Sequence, residues 1–137
     1  MSLESRKLSD VEVGEALPEL VIPLSTSLIV SGALASRDFT PVHHDKAAAQ
    51  AAGLPDVFMN ILTTNGLIGR YVTDWAGPNA TIRGIRVKLG APNTAGDRMT
   101  LRGSVTAKQG DEVTVELVGL NSWGEHVSAS VRVALPR

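Results

Sequence analysis

The sequence predicts an α+β domain in which a curved antiparallel sheet wraps one long helix, and three observations carry that prediction. Residues 61–76, ILTTNGLIGRYVTDWA, repeat apolar side chains at spacings of three and four. After residue 80 the apolar period changes to two. The chain has 137 residues, which suits one domain spanning 1–137, and a domain of that size buries roughly 65–70% of its unfolded surface.

Each element has a local cause. Residues 1–17 mix charge with small apolar groups and read as a loosely held arm. ELVIPLS, residues 19–25, is a first strand that Pro23 confines to an edge or a strand end. Ser25 or Thr26 caps a helix running to about Ser36, with Leu28, Ile29, Leu34 and Ala35 on one face. Pro41 lacks an N–H and pushes Thr40 toward extended geometry, so residues 39–43 form a loop. Asp45 caps a short helix, KAAAQAA, which Gly53 and Pro55 close.

The long helix begins at its N-cap Asn60 and stops at Gly77 and Pro78. Ile61, Thr64, Leu67, Ile68, Tyr71, Val72 and Trp75 cover most of its circumference, which predicts burial on more than one side. Gly66 and Gly69 cost about 1 kcal/mol each relative to Ala in mid-helix, and a close approach of sheet backbone would offset that. Four alternating strands follow, around Ile85–Leu89, Met99–Val105, Val113–Leu117 and Val127–Val133. Turn signals at APNTAGD, KQGDE and NSWGE join them into a predicted antiparallel meander.

Composition excludes several functions. There is no cysteine, hence no disulfide, thiolate zinc site or cysteine nucleophile, and a reducing cytoplasm is the expected compartment. Thirteen Lys and Arg against fourteen Asp and Glu leave a formal charge of −1, without the basic strip that nucleic-acid binding requires. No apolar run approaches the about 18 residues of a membrane helix, so the chain reads as soluble and unprocessed. No GxGxxG loop occurs, and neither nicotinamide nor flavin is implied.

The chemistry concentrates in RDFTPVHHDK, residues 37–46. Asp38 and His43 flank Pro41, and a loop turning there can aim a carboxylate and an imidazole at one water as an acid/base pair. The competing structural reading makes Asp38 an Asx-turn residue and His43 a buried, satisfied imidazole. A metal site is disfavoured, since zinc wants three or four convergent ligands and adjacent histidines in one loop rarely converge on one ion. Asp45 serves better as a helix cap, and His126, within a strand pattern, reads as structural. Arg70, Tyr71 and Trp75 form a stripe at helical spacing that reads first as core. Arg83, Arg86, Lys88, Arg98 and Arg102 could meet phosphates, and a solvated sheet face explains them equally well.

Ser36 to Asp45, S-R-D-F-T-P-V-H-H-D, resembles the signature S-G-D-x-N-P-hydrophobic-H-x-D of the MaoC-like (R)-specific enoyl-CoA hydratases and dehydratases. Arg37 and Thr40 stand where that pattern has Gly and Asn, and Met59–Asn60 stand where most members lead the long helix with His-Gly. The resemblance implies a hotdog fold and hydration of the α,β double bond of an enoyl-CoA, or the reverse dehydration, with Asp38 and His43 as the catalytic pair. It leaves His44 an exposed or supporting neighbour. The first N–H groups of the long helix, at Asn60 or Ile61, are the expected oxyanion donors, because they lack intrahelical partners and lie at the positive end of the dipole. Phe39, Val42, Met59 and Tyr71 are the candidate acyl-pocket residues. No metal or cofactor is implied, CoA being part of the substrate.

A narrower likeness, carried by RDFTPVHHDKAAA, DVFMNIL, GRYVTDWAGP and LNSWGEHVSASVRV, is to the small subunits of actinobacterial steroid side-chain hydratases. It implies a bulky, steroid-derived acyl group and a heteromer with a second MaoC-like subunit, with a homodimer as the alternative. A non-catalytic partner subunit and a thioesterase of the same fold remain as competing functions.

Overall fold

A computed structural model describes residues 4–137. The elements are β1 (Leu20–Pro23), α1 (Thr26–Ala35), α2 (Lys46–Ala51), α3 (Ile61–Ala76), β2 (Thr81–Leu89), β3 (Arg98–Gln109), β4 (Glu112–Asn121) and β5 (Gly124–Ala134), with single 3₁₀ turns at Leu8–Asp10 and Pro41–His43. The α+β order and the bounds of α3 are those the periodicity predicts. The helix caps also agree: Ser25 Oγ accepts from the Leu28 N–H, Asp45 Oδ1 from Ala47 and Ala48, and Asn60 Oδ1 from Thr63.

The five strands form one antiparallel sheet in the order β1-β3-β4-β5-β2, which corrects the predicted meander. Two links are tight hairpins: Gly110–Asp111, with Gly110 at φ 63°, joins β3 to β4, and Ser122–Trp123 joins β4 to β5. The link from β2 to β3 is not a turn. Residues 90–97 cross the sheet end, where Asn121 Nδ2 donates to the Ala91 and Pro92 carbonyls and Thr94 bridges to Phe58. With β1 occupying the free side of β3, the edge left for β2 is that of β5.

The inner face of the sheet packs on α3. Ile68, Tyr71, Val72 and Ala76 join Met99, Leu101, Val115, Val131 and Val133 in one core, and each fully buried aliphatic side chain of this kind contributes about 1.5–3 kcal/mol. The helix buries one face rather than several: Ile61 and Leu62 are exposed and Leu67 and Trp75 half-buried. On α1 the buried residues are Ile29 and Ala33, one turn apart, while Leu34, expected inside, is about half exposed. Gly66 has open space around its Cα and Gly69 meets only the tips of Ile82 and Ile85, so no sheet backbone closes on either.

The segment predicted as a loose arm is held along its described length. Arg6 N–H donates to Ala76 O, Leu8 N–H to Pro136 O, and Leu17 N–H to Gly103 O. Val11 and Leu17 are buried. Its apolar residues are too sparse for a periodic signal, yet Val11 and Leu17 join the main core and Leu8 packs against it. Residues 1–3 of the arm lie outside the described residues. Among the described residues no helix is long and apolar enough to cross a membrane.

Candidate active site

Helix α1 ends in a way that aims Asp38. The Asp38 N–H donates to Ala33 O at 2.9 Å and the Arg37 N–H to Leu34 O at 3.1 Å, the paired bonds of a Schellman cap. That cap needs a left-handed residue, and Arg37 supplies it at φ 56°. The Gly of the MaoC-like signature falls on this position; Arg adopts the same backbone at a cost of roughly 1–2 kcal/mol.

The loop then divides the Asp38 carboxylate between two tasks. Oδ1 accepts from the Thr40 N–H at 3.2 Å and the Thr40 hydroxyl at 2.7 Å, which is the Asx turn of the structural reading. Thr40 thus takes up the position of the signature Asn as a ligand of the carboxylate. Oδ2 lies 3.3 Å from His43 Nε2 and 3.2 Å from Asn60 Nδ2. Hydrogen bonding by Thr40, reinforced by Asn60 and by the His43 ring, holds the Asp38 carboxyl below its ordinary range against the opposing effect of burial.

His43 is buried at the end of the 3₁₀ turn that Pro41 starts. Its Nδ1 lies 2.6 Å from Phe58 O, and since a carbonyl only accepts, Nδ1 carries a proton. The Phe58 ring meets the imidazole edge-on with centroids 4.9 Å apart. Phe58 is itself fixed, its N–H donating to Val42 O and its backbone bridging to Thr94. Nε2 is therefore the nitrogen free for chemistry, and it points at Asp38.

The start of α3 is the third part. Asn60 is buried, its Oδ1 accepting from the Thr63 N–H and hydroxyl, its Nδ2 donating to Ser36 Oγ and Asp38 Oδ2. No hydrogen bond within the described residues engages the backbone N–H of Asn60, Ile61 or Leu62, leaving donors at the positive end of the helix dipole.

Asp38, His43 and Asn60 are thus brought together. Of the candidate pocket residues, Phe39 is exposed beside Asp38 and Val42 half-buried behind it. Met59 and Tyr71 sit in the main core, and Tyr71 borders a cleft of about 200 Å³ with Pro18, Glu19, Leu20, Asp74 and Trp75, away from the pair. His44 is exposed and Asp45 caps α2. Among the described residues no three His, Asp or Glu side chains converge as metal ligands. His126 is buried, its Nδ1 2.7 Å from Ala91 O and its Nε2 2.9 Å from Thr64 Oγ1. Of the strand cations, Arg83 pairs with Asp111 and Arg102 with Glu19. The side-chain bonds of Asn60 and Thr40 to Asp38 are the site contacts that sequence spacing does not announce.

A sheet curved over one helix, with an Asp–His pair on a proline loop at that helix's N-terminus, is the arrangement of the MaoC-like hotdog domains, and the chain belongs to that family: residues 11–123 match the MaoC like domain. The 3-oxo-4,17-pregnadiene-20-carboxyl-CoA hydratase beta subunit of Mycobacterium tuberculosis is 50% identical over 123 residues, 90% of this chain and 95% of that protein. A chain of the ChsH1–ChsH2 complex from the same organism superposes with a TM-score of 0.89 at 50% identity, over 90% of this chain and 98% of that one. The R-hydratase PhaJ1 of Pseudomonas aeruginosa shares the fold at 20% identity, with a TM-score of 0.89 over 97% and 87% of the two chains.

Proposed function

We propose that the protein hydrates the α,β double bond of an enoyl-CoA thioester, or dehydrates the corresponding 3-hydroxyacyl-CoA, with Asp38 and His43 as its acid/base pair. The observation that carries the proposal is the 3.3 Å approach of His43 Nε2 to Asp38 Oδ2 while Nδ1 is committed to Phe58 O. With Nδ1 protonated, two lone pairs would face each other unless the pair holds one further proton. An imidazolium beside a carboxylate satisfies both atoms.

In that state the Asp38 carboxylate takes a proton from water as the water oxygen bonds to Cβ. The π electrons move toward the thioester, and His43 delivers its Nε2 proton to Cα. The proton gained by Asp38 then returns to His43 Nε2 and restores the pair. Because Oδ2 and Nε2 are 3.3 Å apart, water and proton would be delivered to one side of the double bond, which makes the expected addition syn. The enolate-like oxygen of the transition state is placed at the unengaged N–H groups of Asn60 and Ile61. No cofactor enters this scheme, CoA arriving as part of the substrate.

The acyl group is taken to be bulky and steroid-derived, on the strength of the 50% identity to the pregnadiene-carboxyl-CoA hydratase subunit. The partner is taken to be a second MaoC-like chain. Phe39, Ile61 and Leu62 stand exposed around the pair, an apolar rim that one chain leaves open. The nine-residue strand β2 ends the sheet with none of its residues fully buried, a long edge of the kind proteins pair or cover.

The test is hydration of enoyl-CoA thioesters by the complex of this chain with its partner. Asp38→Asn and His43→Asn should each lower kcat by about 10²–10⁴-fold. Wild-type turnover in the double variant Asp38→Ala/His43→Ala would establish a non-catalytic subunit, and release of free CoA thiol a thioesterase.

A further inference from the structure

We propose that the Asn60 side chain is a positioning residue for this reaction, tying the first turn of α3 to Asp38 and holding Oδ2 toward His43. The inference rests on the acid/base role proposed for Asp38 and names a group that role requires.

The geometry allows Asn60 one orientation. The Thr63 N–H is a donor only, so the atom 3.2 Å from it is the Asn60 carbonyl oxygen, which also accepts from Thr63 Oγ1 at 2.5 Å. The amide nitrogen then has to face Ser36 Oγ at 2.9 Å and Asp38 Oδ2 at 3.2 Å. Ser36 Oγ donates its own proton to Gly32 O at 2.7 Å, which leaves it an acceptor for Asn60. Both amide protons and both carbonyl lone pairs are thereby used, in a residue that is 2% exposed.

Asp38 needs this second anchor. Thr40 binds only Oδ1, so the carboxylate could turn about that oxygen and carry Oδ2 away from His43. Asn60 reaches Oδ2 from a different element and fixes the rotation. A glycine at this position would present its backbone N–H equally well and hold no carboxylate. A role in capping alone would be served by Ser or Asp.

Two substitutions separate positioning from capping. Asn60→Ser keeps a competent cap, and its shorter side chain cannot also reach Asp38. It should lower kcat by about tenfold to a hundredfold with KM little changed. Asn60→Asp keeps the cap and the shape and sets a carboxylate oxygen against Asp38 Oδ2 at the distance Nδ2 now spans. Of the groups bonded to Asp38, His43 is the titratable one, while Thr40 and Asn60 are neutral; Arg37, His44 and Asp45 are exposed and make no hydrogen bond or ion pair to it. The new like charge should raise the acidic limb of the kcat/KM profile by at least about one unit. The Asp38 carboxyl, followed by ¹³C NMR in the protein as produced, should titrate higher by a similar amount.

Melting temperature and association with the partner, measured on the same variants, report whether the fold is intact. An Asn60→Asp protein with an unmoved acidic limb and an unmoved Asp38 titration overturns the inference, as does an Asn60→Ser protein with wild-type kcat. Those results leave the Asp38 role standing if Asp38→Asn is inactive. Full activity in Asp38→Asn removes that role first.

Discussion

The two ends of α3 are opposites. At its C-terminus Tyr71, Val72 and Ala76 are buried, the last carbonyls accept from Arg6 and Gly77, and Asn79 N–H donates to Ser5 Oγ. At its N-terminus Ile61 and Leu62 are exposed, and within the described residues no hydrogen bond engages the backbone N–H groups of Asn60, Ile61 and Leu62. One end is finished by its own chain and carries stability. The other is left open, with a buried amide below it and an Asp–His pair beside it. The apolar repeat along the helix is therefore shared between a core and an exposed surface, which is why periodicity alone overstates its burial.

Gly77 gives the contrast its largest expected effect on stability. It closes α3 at φ 90° and ψ 177°, a region essentially reserved for glycine. A Cβ there would come within 2.5 Å of the Glu4 carbonyl oxygen and the Ser5 Cα. Gly77→Ala combines backbone strain with displacement of the N-terminal segment and should cost about 2–4 kcal/mol, read as a fall in the urea midpoint. An unchanged midpoint would mean that the segment across the helix end contributes nothing.

His126 stands between the two ends in effect. It joins β5 to the first turn of α3 through Thr64 and to the crossing segment through Ala91. Burial disfavours its charged form and pushes its pKa below the ordinary 6.5, against the hydrogen bond to Ala91. The unfolded chain then binds the proton more readily than the folded one. Stability is fully retained above about pH 6.5 and falls as the pH drops below it toward the depressed folded value. His126→Asn can keep a donor to Ala91 O and loses the Thr64 bond, so it should cost about 1–2 kcal/mol at neutral pH. Its melting temperature should change less than the wild type's between pH 6.5 and 5.5. A wild-type curve flat over that range would contradict the neutral, buried ring.

The legible parts of this molecule were those set by nearest neighbours. Ser25, Asp45 and Asn60 announce helix starts because a cap acts within three residues, and Asp38 and His43 stand out because Pro41 forces the chain between them to turn. What stayed hidden depends on contacts across the fold. The place of β2 beside β5 follows from β1 already occupying β3, and no residue in β2 encodes that. The N-terminal segment reads as loose because Val11 and Leu17 belong to no periodic run, while the groups that hold it, Gly103 and Lys108 among them, lie far along the chain. Arg37 concealed a left-handed helix end behind a residue that seldom adopts one. The amide of Asn60 looked like a cap, and its second pair of bonds, to Ser36 and Asp38, spans 24 and 22 residues.

The smallest expected effect lies at the open end of α3. Gly66 is exposed, in helical backbone, with no atom near the position a Cβ would take. Nothing among the described residues requires glycine there, and Gly66→Ala should stabilise the isolated chain by about 1 kcal/mol through helix propensity alone. It lies one turn after Leu62, on the same side of the helix as that exposed residue. A gain in melting temperature for the isolated chain, coupled with weaker association with the second subunit, would identify this face as the surface the partner covers and the glycine as room left for it. A gain with association unchanged would place the partner on the β2 edge and leave the helix face to the acyl chain.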